Sequence, residues 1–312
     1  MDRNLALEFV RVTEAAAIAA SSWIGKGERK AADQAAVDEM RSRFNFVDFS
    51  GTVVIGEGQK DEAPELYVGE TLGTGNGLEI DIAVDPLECT DSVATGSPNA
   101  ISVISTGPKG SLFHAPDMYM EKIACGPQAK GVIDLDLTPT ENIIRVAKKL
   151  EKDVTQMVVI MLDRPRHADL VEEIRTVGAR IRFISDGDVA GAIAPSLPDS
   201  GEDMLINIGA SAEAVLAATA IKCLGGDFQA RLWPKNVDQK NMLEDMGLDI
   251  NKKLTLEDLA SGKDLTFTAT GVVDGPLLKG VRYTADYCIT HSVVMRVKTG
   301  TIRFLETHHK LS

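Results

Sequence analysis

Cysteine is scarce in this chain. The 312 residues hold four, Cys89, Cys125, Cys223 and Cys288, widely scattered and with no CxxC spacing. That argues against a disulfide framework and reads as free thiols of a reducing compartment, with the cytoplasm as the expected location. Basic residues are also few: Lys and Arg total 33 against 46 Asp and Glu, a formal charge of −13. No basic footprint is left for a nucleic-acid backbone, and an anionic membrane surface is disfavoured. Long apolar runs are missing. The most apolar stretch, Ala15 to Ile24, is too short to span a bilayer and is interrupted by Ser21 and Ser22. The opening residues, Asp2 and Arg3 and then an amphipathic run with Glu8, Arg11 and Glu14, carry no signal-peptide pattern. The five histidines, His114, His167, His291, His308 and His309, lack metal-ligand spacing and read as structural or surface residues.

What is present is an ordinary globular composition, 44% hydrophobic and 25% charged, in a chain long enough for one large domain or two fused layers. Helical spacing runs from Asn4 to Gly25 (Leu5, Phe9, Val12, Ala16) and from Lys30 to Phe44 (Ala31, Val37, Met40, Phe44). A crowd of short strands follows, at Thr52 to Ile55, Leu78 to Val84, Ala100 to Ser105, Ser111 to His114 and Met118 to Ala124, which suggests a mixed or antiparallel sheet. From Thr138 the rhythm becomes βαβ: helices over 140–150, 165–177 and 212–223, strands over 157–162, 181–185 and 204–208. Leu254 to Ala260 reads as a short helix with Thr255 as N-cap and Asp258 three residues on. The remainder returns to strands. The absence of repeats, low-complexity tracts and linkers predicts one compact unit with layered sub-domains.

Four acidic spots stand out as candidates for chemistry. The run "EIDIAVDPLECTDS" alternates Ile80, Ile82 and Val84 with acids, so it predicts a strand that buries one face and shows acid on the other. Pro86 is expected to end that strand, leaving Asp85 and Glu88 at a turn. The other three are Asp33 on a helix, Glu57 between glycines after a strand, and Glu213 in a first helical turn. Hard carboxylates around one cleft suit magnesium or manganese. Taken singly, Asp33 is equally a solvated helix face and Glu213 an ordinary N-terminal helix acid. Arg164-Pro165-Arg166-His167 closes a strand and opens a helix, where two arginines make a phosphate clamp or simply a surface pair. "SDGDV", with Asp186, Gly187 and Asp188, ends the next strand; its carboxylates suit sugar hydroxyls or form a plain Asp-Gly turn.

Taken together, "VVIGEG", "DPLECT", "APDMYMEKIACGP", "DRPRH", "DGDVAGAI" and "ATGVVDGPLLKGVRY" resemble, in that order and over nearly the whole length, the class II fructose-1,6-bisphosphatase family. That family belongs to the metal-dependent, lithium-sensitive sugar phosphatases, which share an Asp-Pro-x-(Asp/Glu)-Gly-(Thr/Ser) element. The resemblance implies an α/β fold layered α-β-α-β-α, with a mixed sheet and a second, βαβ-type sheet. It further implies a metal-binding sub-domain over 1–137, a substrate sub-domain over 138–233 and C-terminal strands over 234–312. The implied activity is removal of the 1-phosphate of fructose 1,6-bisphosphate with Mn²⁺ or Mg²⁺, a step of gluconeogenesis. Sedoheptulose 1,7-bisphosphate, or weak activity in a sugar-phosphate-binding homologue, are the alternatives. A homodimer or homotetramer is expected.

Residue by residue, the resemblance implies Asp33, Glu57, Asp85, Glu88 and Glu213 as metal carboxylates and Thr90 as the group that orients the attacking water. Tyr119, Arg164, Pro165 and Arg166 would hold the non-reacting phosphate. Asp186, Gly187 and Asp188 would border the sugar, and Glu88, Cys89, Thr90 and Ala210 would contact substrate. Two departures from the family pattern stand out. Cys89 occupies a glycine position between Glu88 and Thr90, and Gly209-Ala210-Ser211-Ala212-Glu213-Ala214 replaces a loop with Pro before and Gly after the acid. A side chain at Cys89 is expected to strain the turn, with its thiol beside the metal and the reacting phosphate.

Overall fold

The structure is a computed structural model that describes residues 5–57 and 65–311. Asp2, Arg3, Asn4 and Gly58, which figure in the expectations above, lie outside the described residues. The chain forms two compact units, one from Met1–His114 with Ala260–Ser312 and the other from Ala115–Leu259. Sub-domain boundaries read from the sequence at 137/138 and 233/234 both fall inside the second unit. The reasons are a strand at Tyr119–Cys125 that pairs on both edges within that unit's sheet and a strand at Leu254–Thr255 that pairs back onto its edge.

The first unit begins with α1 (Leu5–Ser21) and α2 (Arg29–Phe44). Both follow their apolar spacing: Leu5, Phe9, Val12 and Ala16 are buried, as are Val37, Met40 and Phe44. Phe9, Phe44 and Phe49 meet edge to face, with centroids 6.2, 5.5 and 5.9 Å apart pairwise, the geometry aromatic quadrupoles favour. They join one core with Ile80, Ile82, Val84 and Leu87 of the sheet beneath. That sheet starts with β1 (Ser50–Ile55), β2 (Thr71–Leu72), β3 (Glu79–Glu88) and β4 (Ile101–Pro108), with the short α3 (Thr90–Thr95) between the last two. Ser111 to His114 is not a strand. The Ser111 N–H turns back to the Pro108 carbonyl at 3.0 Å, and only an isolated bridge, Leu112 to Ala260, remains.

The second unit contains β5 (Tyr119–Cys125), α4 (Pro139–Lys149), β6 (Val158–Leu162), α5 (Ala168–Thr176) and β7 (Arg180–Ile184). It continues with α6 (Asp188–Ile193), β8 (Met204–Ala210), α7 (Ser211–Leu224), β9 (Asp227–Trp233), α8 (Val237–Asp245), β10 (Leu254–Thr255) and α9 (Leu256–Leu259). Its six strands lie in the order β10-β9-β5-β8-β6-β7. β6 is parallel to both β7 and β8, and the rest is antiparallel. Helices α4 and α5 bury Ile143, Val146 and Ile174 against one face, and α6 and α7 pack on the other. The helix predicted from Pro165 starts three residues later. Pro165–His167 form a 3₁₀ turn, pinned by His167 Nδ1 donating to the Leu162 carbonyl at 2.7 Å and Nε2 accepting from the Ile208 N–H at 3.0 Å. Burial holds the His167 pKa below its usual value, in keeping with that neutral tautomer.

The chain then re-enters the first unit with β11 (Thr266–Gly271), β12 (Arg282–Tyr283), β13 (Tyr287–Arg296) and β14 (Thr301–Lys310). They complete an eight-stranded sheet, β12-β13-β11-β4-β3-β1-β2 with β14 on β13, parallel only between β1 and β3. The architecture is therefore mixed α/β with two mixed sheets: helix on sheet in the first unit, helix-sheet-helix in the second. The four cysteines are free, and no helix among the described residues is long and apolar enough to cross a membrane.

Candidate active site

In the first unit, sheet register gathers the acids. β1 and β3 run parallel with Ile55 opposite Ala83. Glu57 and Asp85 each stand two residues further along, so both leave the same end of neighbouring strands. The Glu57 N–H bonds to the Leu66 carbonyl at 2.9 Å, and a Cβ on Gly56 would overlap that same carbonyl. Glycine before Glu57 is thus a packing requirement. The Leu66 segment is itself anchored: Glu70 accepts from the Leu66 N–H and from Arg41 Nε of α2. Arg41 and Glu70 were not among the residues the sequence singled out.

The strand does not end at Pro86. β3 continues to Glu88, and its pairing with β4 passes from Asp85↔Val103 to Glu88↔Ile101, three residues on one strand against two on the other. This is a β-bulge, and it tolerates a residue with no N–H to give. In a regular strand, residues three apart face opposite sides; the extra residue restores Glu88 to the side of Asp85. The core confirms the count, because Ile80, Ile82, Val84 and Leu87 all join the helix-covered face. The acid-bearing face is not simply solvated, either. Only Glu79 is exposed; Asp81 is buried and accepts the Leu112 N–H at 3.2 Å, while Glu88 is buried and Asp85 half-buried. The Leu87 N–H donates to Asp85 Oδ1 at 3.1 Å, which fixes that carboxylate within the bulge.

Asp33 lies one turn along α2 from Arg29, on the same helix face. Arg29 pairs with Asp91 in the first turn of α3, next to Thr90. Burial raises the Asp33 pKa above its ordinary value. Between Glu88 and Thr90, Cys89 adopts φ +74° and ψ +52°, the left-handed region that favours glycine. The turn is therefore the strained one expected. The thiol is not where the sequence put it: Cys89 is only 6% exposed and packs in the core under α1 and α2.

The second unit presents its candidates at the carboxyl ends of the parallel strands, where ligands of such sheets bind. Arg164 and Arg166 follow β6, Asp186 and Asp188 follow β7, and Glu213 follows β8. Arg164 Nη1 donates to the Asp163 and Ser185 carbonyls at 3.0 and 2.7 Å, tying the two strand ends together. Arg166 donates Nε and Nη2 to the Ile208 carbonyl at 2.9 and 2.6 Å, and its guanidinium lies 4.4 Å from the centre of the Tyr119 ring. Tyr119 itself is paired in register with Ala210 on one side and Trp233 on the other. Pro165 starts the pinned 3₁₀ turn, and Gly187 takes φ +95° before α6.

Asp188 is not an open carboxylate. It is 5% exposed, Oδ2 pairs with Lys122 Nζ, and Oδ1 accepts Asn207 Nδ2 at 2.5 Å. A Cβ on Gly209 would overlap Asp188 Oδ2, so that glycine is required for the ion pair. Lys122 was missed, yet the strand carries the signal. Met120, Lys122 and Ala124 share the buried face of β5 under α7, and a lysine in that alternation demands an anion. Glu213 sits in the first turn of α7, and its buried Oε2 accepts no hydrogen bond among the described residues. Burial raises its pKa while nearby Lys122 opposes the rise. Ala212 and Ala214 are ordinary helical residues in that turn, and alanine strengthens a helix relative to glycine.

The donor chemistry fits a hard divalent cation. Every candidate ligand is a carboxylate, and Glu213 Oε2 and Asp33 are desolvated acids that a cation would stabilise. Among the described residues, no three His, Cys, Asp or Glu side chains close around one point. The sequence model of the family described as "Bacterial fructose-1,6-bisphosphatase, glpX-encoded" matches residues 3–309. The chain is similar to a Haemophilus influenzae protein named fructose-1,6-bisphosphatase class 2, at 45% identity over 324 aligned residues that cover 100% of this chain and 97% of the relative. It is also similar to a Synechococcus protein named D-fructose 1,6-bisphosphatase class 2/sedoheptulose 1,7-bisphosphatase, at 41% identity over 334 aligned residues, covering 99% and 96% respectively.

Proposed function

The chain belongs to the class 2 fructose-1,6-bisphosphatase family, and from that premise we infer that it hydrolyses the 1-phosphate of fructose 1,6-bisphosphate, giving fructose 6-phosphate and phosphate. It is a phosphoric monoester hydrolase. The observation that carries the site assignment is the β3 bulge, which sets Asp85 and Glu88 on one side of the strand beside the end of β1 that bears Glu57.

In this reading Asp33, Glu57, Asp85 and Glu88 are the metal carboxylates of the first unit and Glu213 that of the second, with Mn²⁺ or Mg²⁺ as the cation. A bound divalent cation supplies charge neutralisation at the phosphate oxygens and a more acidic water. The chain's own groups do the positioning. Thr90, opening α3 directly after the bulged strand, offers a hydroxyl that can accept from and donate to the attacking water. Arg166 keeps three N–H groups for a phosphate after the two given to Ile208, and Tyr119 adds a hydroxyl. Glu88, the backbone of Cys89 and Ala210 are the remaining substrate contacts, and Arg164 and Pro165 hold Arg166 in place. Asp186, half-buried beside Gly187, is an acceptor for a sugar hydroxyl, while both Asp188 oxygens are engaged by Lys122 and Asn207. Anchoring the second phosphate converts its binding energy into alignment of the first.

The name of the Synechococcus relative favours one further substrate, sedoheptulose 1,7-bisphosphate. The test compares kcat/KM for the two bisphosphates with product identification. Formation of fructose 6-phosphate is expected. Failure to release phosphate from either sugar would remove the reading. The same reading carries a cytoplasmic location and a homodimer or homotetramer, which sedimentation of the purified chain would count.

A further inference from the structure

We propose that Lys235 is a specificity-determining residue for ligands that carry a second phosphate, completing an anion clamp with Arg166 and Tyr119; this rests on the phosphatase reading and adds a residue to it. Lys235 Nζ lies 3.7 Å from the centre of the Tyr119 ring, and the Arg166 guanidinium carbon lies 4.4 Å from the same centre. Two cations thus lie against the same aromatic ring in a chain of net charge −13. Neither has a carboxylate partner among the described residues. Lys235 makes no ion pair there, and Arg166 spends two donors on a backbone carbonyl. An aromatic face is worth only about 0.5–2 kcal/mol to each cation, which leaves both charges largely unbalanced. The group that would balance both is an anion with several acceptor oxygens, and a phosphate dianion fits.

The backbone supports a fixed role. Trp233, at the end of β9, is paired in register with Tyr119. Pro234 follows, and the Lys235 N–H donates to Gln239 Oε1 at 2.8 Å. The Asn236 side chain caps α8 by accepting the Gln239 N–H at 2.9 Å. The Cα of Lys235 is therefore held from both sides, while its exposed side chain meets the Tyr119 face. A four-carbon stem on a fixed Cα can follow a phosphate without moving the sheet. Arg166 supplies the rigid fork and Lys235 the adjustable point charge.

The experiment has a binding arm and a rate arm. Fructose 6-phosphate, which keeps the second phosphate, is titrated by calorimetry into the wild-type chain, Lys235→Met and Lys235→Arg. Loss of one charge-assisted hydrogen bond predicts about tenfold weaker binding to Lys235→Met, and near-wild-type binding to Lys235→Arg. In the rate arm, KM for fructose 1,6-bisphosphate should rise by a similar factor in Lys235→Met, with the KM for fructose 1-phosphate unchanged. A purely structural residue would shift both substrates together. Unaltered fructose 6-phosphate affinity in Lys235→Met overturns the inference, as does an equal change for both substrates. A wild-type chain that hydrolyses neither sugar would instead overturn the phosphatase reading, and the binding arm would still decide Lys235.

Discussion

Asp85 and Glu88 face the same side of β3 although they stand three residues apart, because one extra residue is accommodated between the pairs Asp85↔Val103 and Glu88↔Ile101. If these two carboxylates hold the cation, Asp85→Asn and Glu88→Gln should each slow phosphate release about 10²- to 10³-fold, since each removes ligand charge worth several kcal/mol. Both replacements keep shape, so thermal midpoints should stay within a few degrees. Rates close to wild type in both variants would place these acids outside the chemistry.

Cys89 predicts an inversion of the usual order of small residues. Its φ of +74° costs a residue with a Cβ about 1–2 kcal/mol, which only glycine escapes. Cys89→Ala loses the buried sulfur and keeps the strain, whereas Cys89→Gly loses both. Denaturant titration should therefore find Cys89→Gly more stable than Cys89→Ala by about 1 kcal/mol. The native thiol, buried in the core, should also react slowly with thiol reagents. Greater stability of the alanine variant would mean that the turn is not strained.

The Lys122–Asp188 pair is buried on both sides, so breaking it leaves an uncompensated charge. Lys122→Met should cost about 3–5 kcal/mol of stability. The double variant Lys122→Met/Asp188→Asn should recover much of that loss. A double-mutant cycle with no coupling would contradict the pairing.

Asp258 gives the acid limb a sign. Burial acts to raise its pKa, but bonds from Lys252 and from Thr255 outweigh burial and hold it at about 2. Because the folded value lies below the unfolded 3.8, the bonds' contribution is present above pH 3.8 and is lost as pH falls from there through about 2. Asp258→Asn should be less stable near neutrality and lose less on acidification. Parallel stability curves for the two proteins between pH 3.8 and about 2 would contradict this.

The sequence disclosed those parts of the fold in which period and burial agree. α1 shows Leu5, Phe9, Val12 and Ala16 at helical spacing, and all are core. β6 is a short apolar run between turn signals and lies inside a sheet. The bulge was hidden because Pro86 reads as a stop; pairing with β4, which resumes at Glu88↔Ile101, carries the strand past it. α3 and α6 are six residues each and follow left-handed residues, Cys89 and Gly187, so neither has a repeat long enough to register. Of the site, the acids and arginines were visible as motifs. Lys122, Asn207, Arg41, Glu70 and Lys235 were not, because each acts through a partner distant in sequence: Lys122 reaches Asp188, and Lys235 reaches Tyr119.

The central claim is metal-dependent hydrolysis at the 1-phosphate of fructose 1,6-bisphosphate. The most direct measurement is phosphate release from that sugar by the purified chain, before exhaustive chelation, after it, and after Mn²⁺ or Mg²⁺ is returned. Desolvated carboxylates such as Asp33 and Glu213 are each stabilised in the charged form by a cation. The expected result is therefore turnover that disappears on chelation and returns with the metal, yielding fructose 6-phosphate. Full turnover in the chelated protein, or none with either metal, would contradict it.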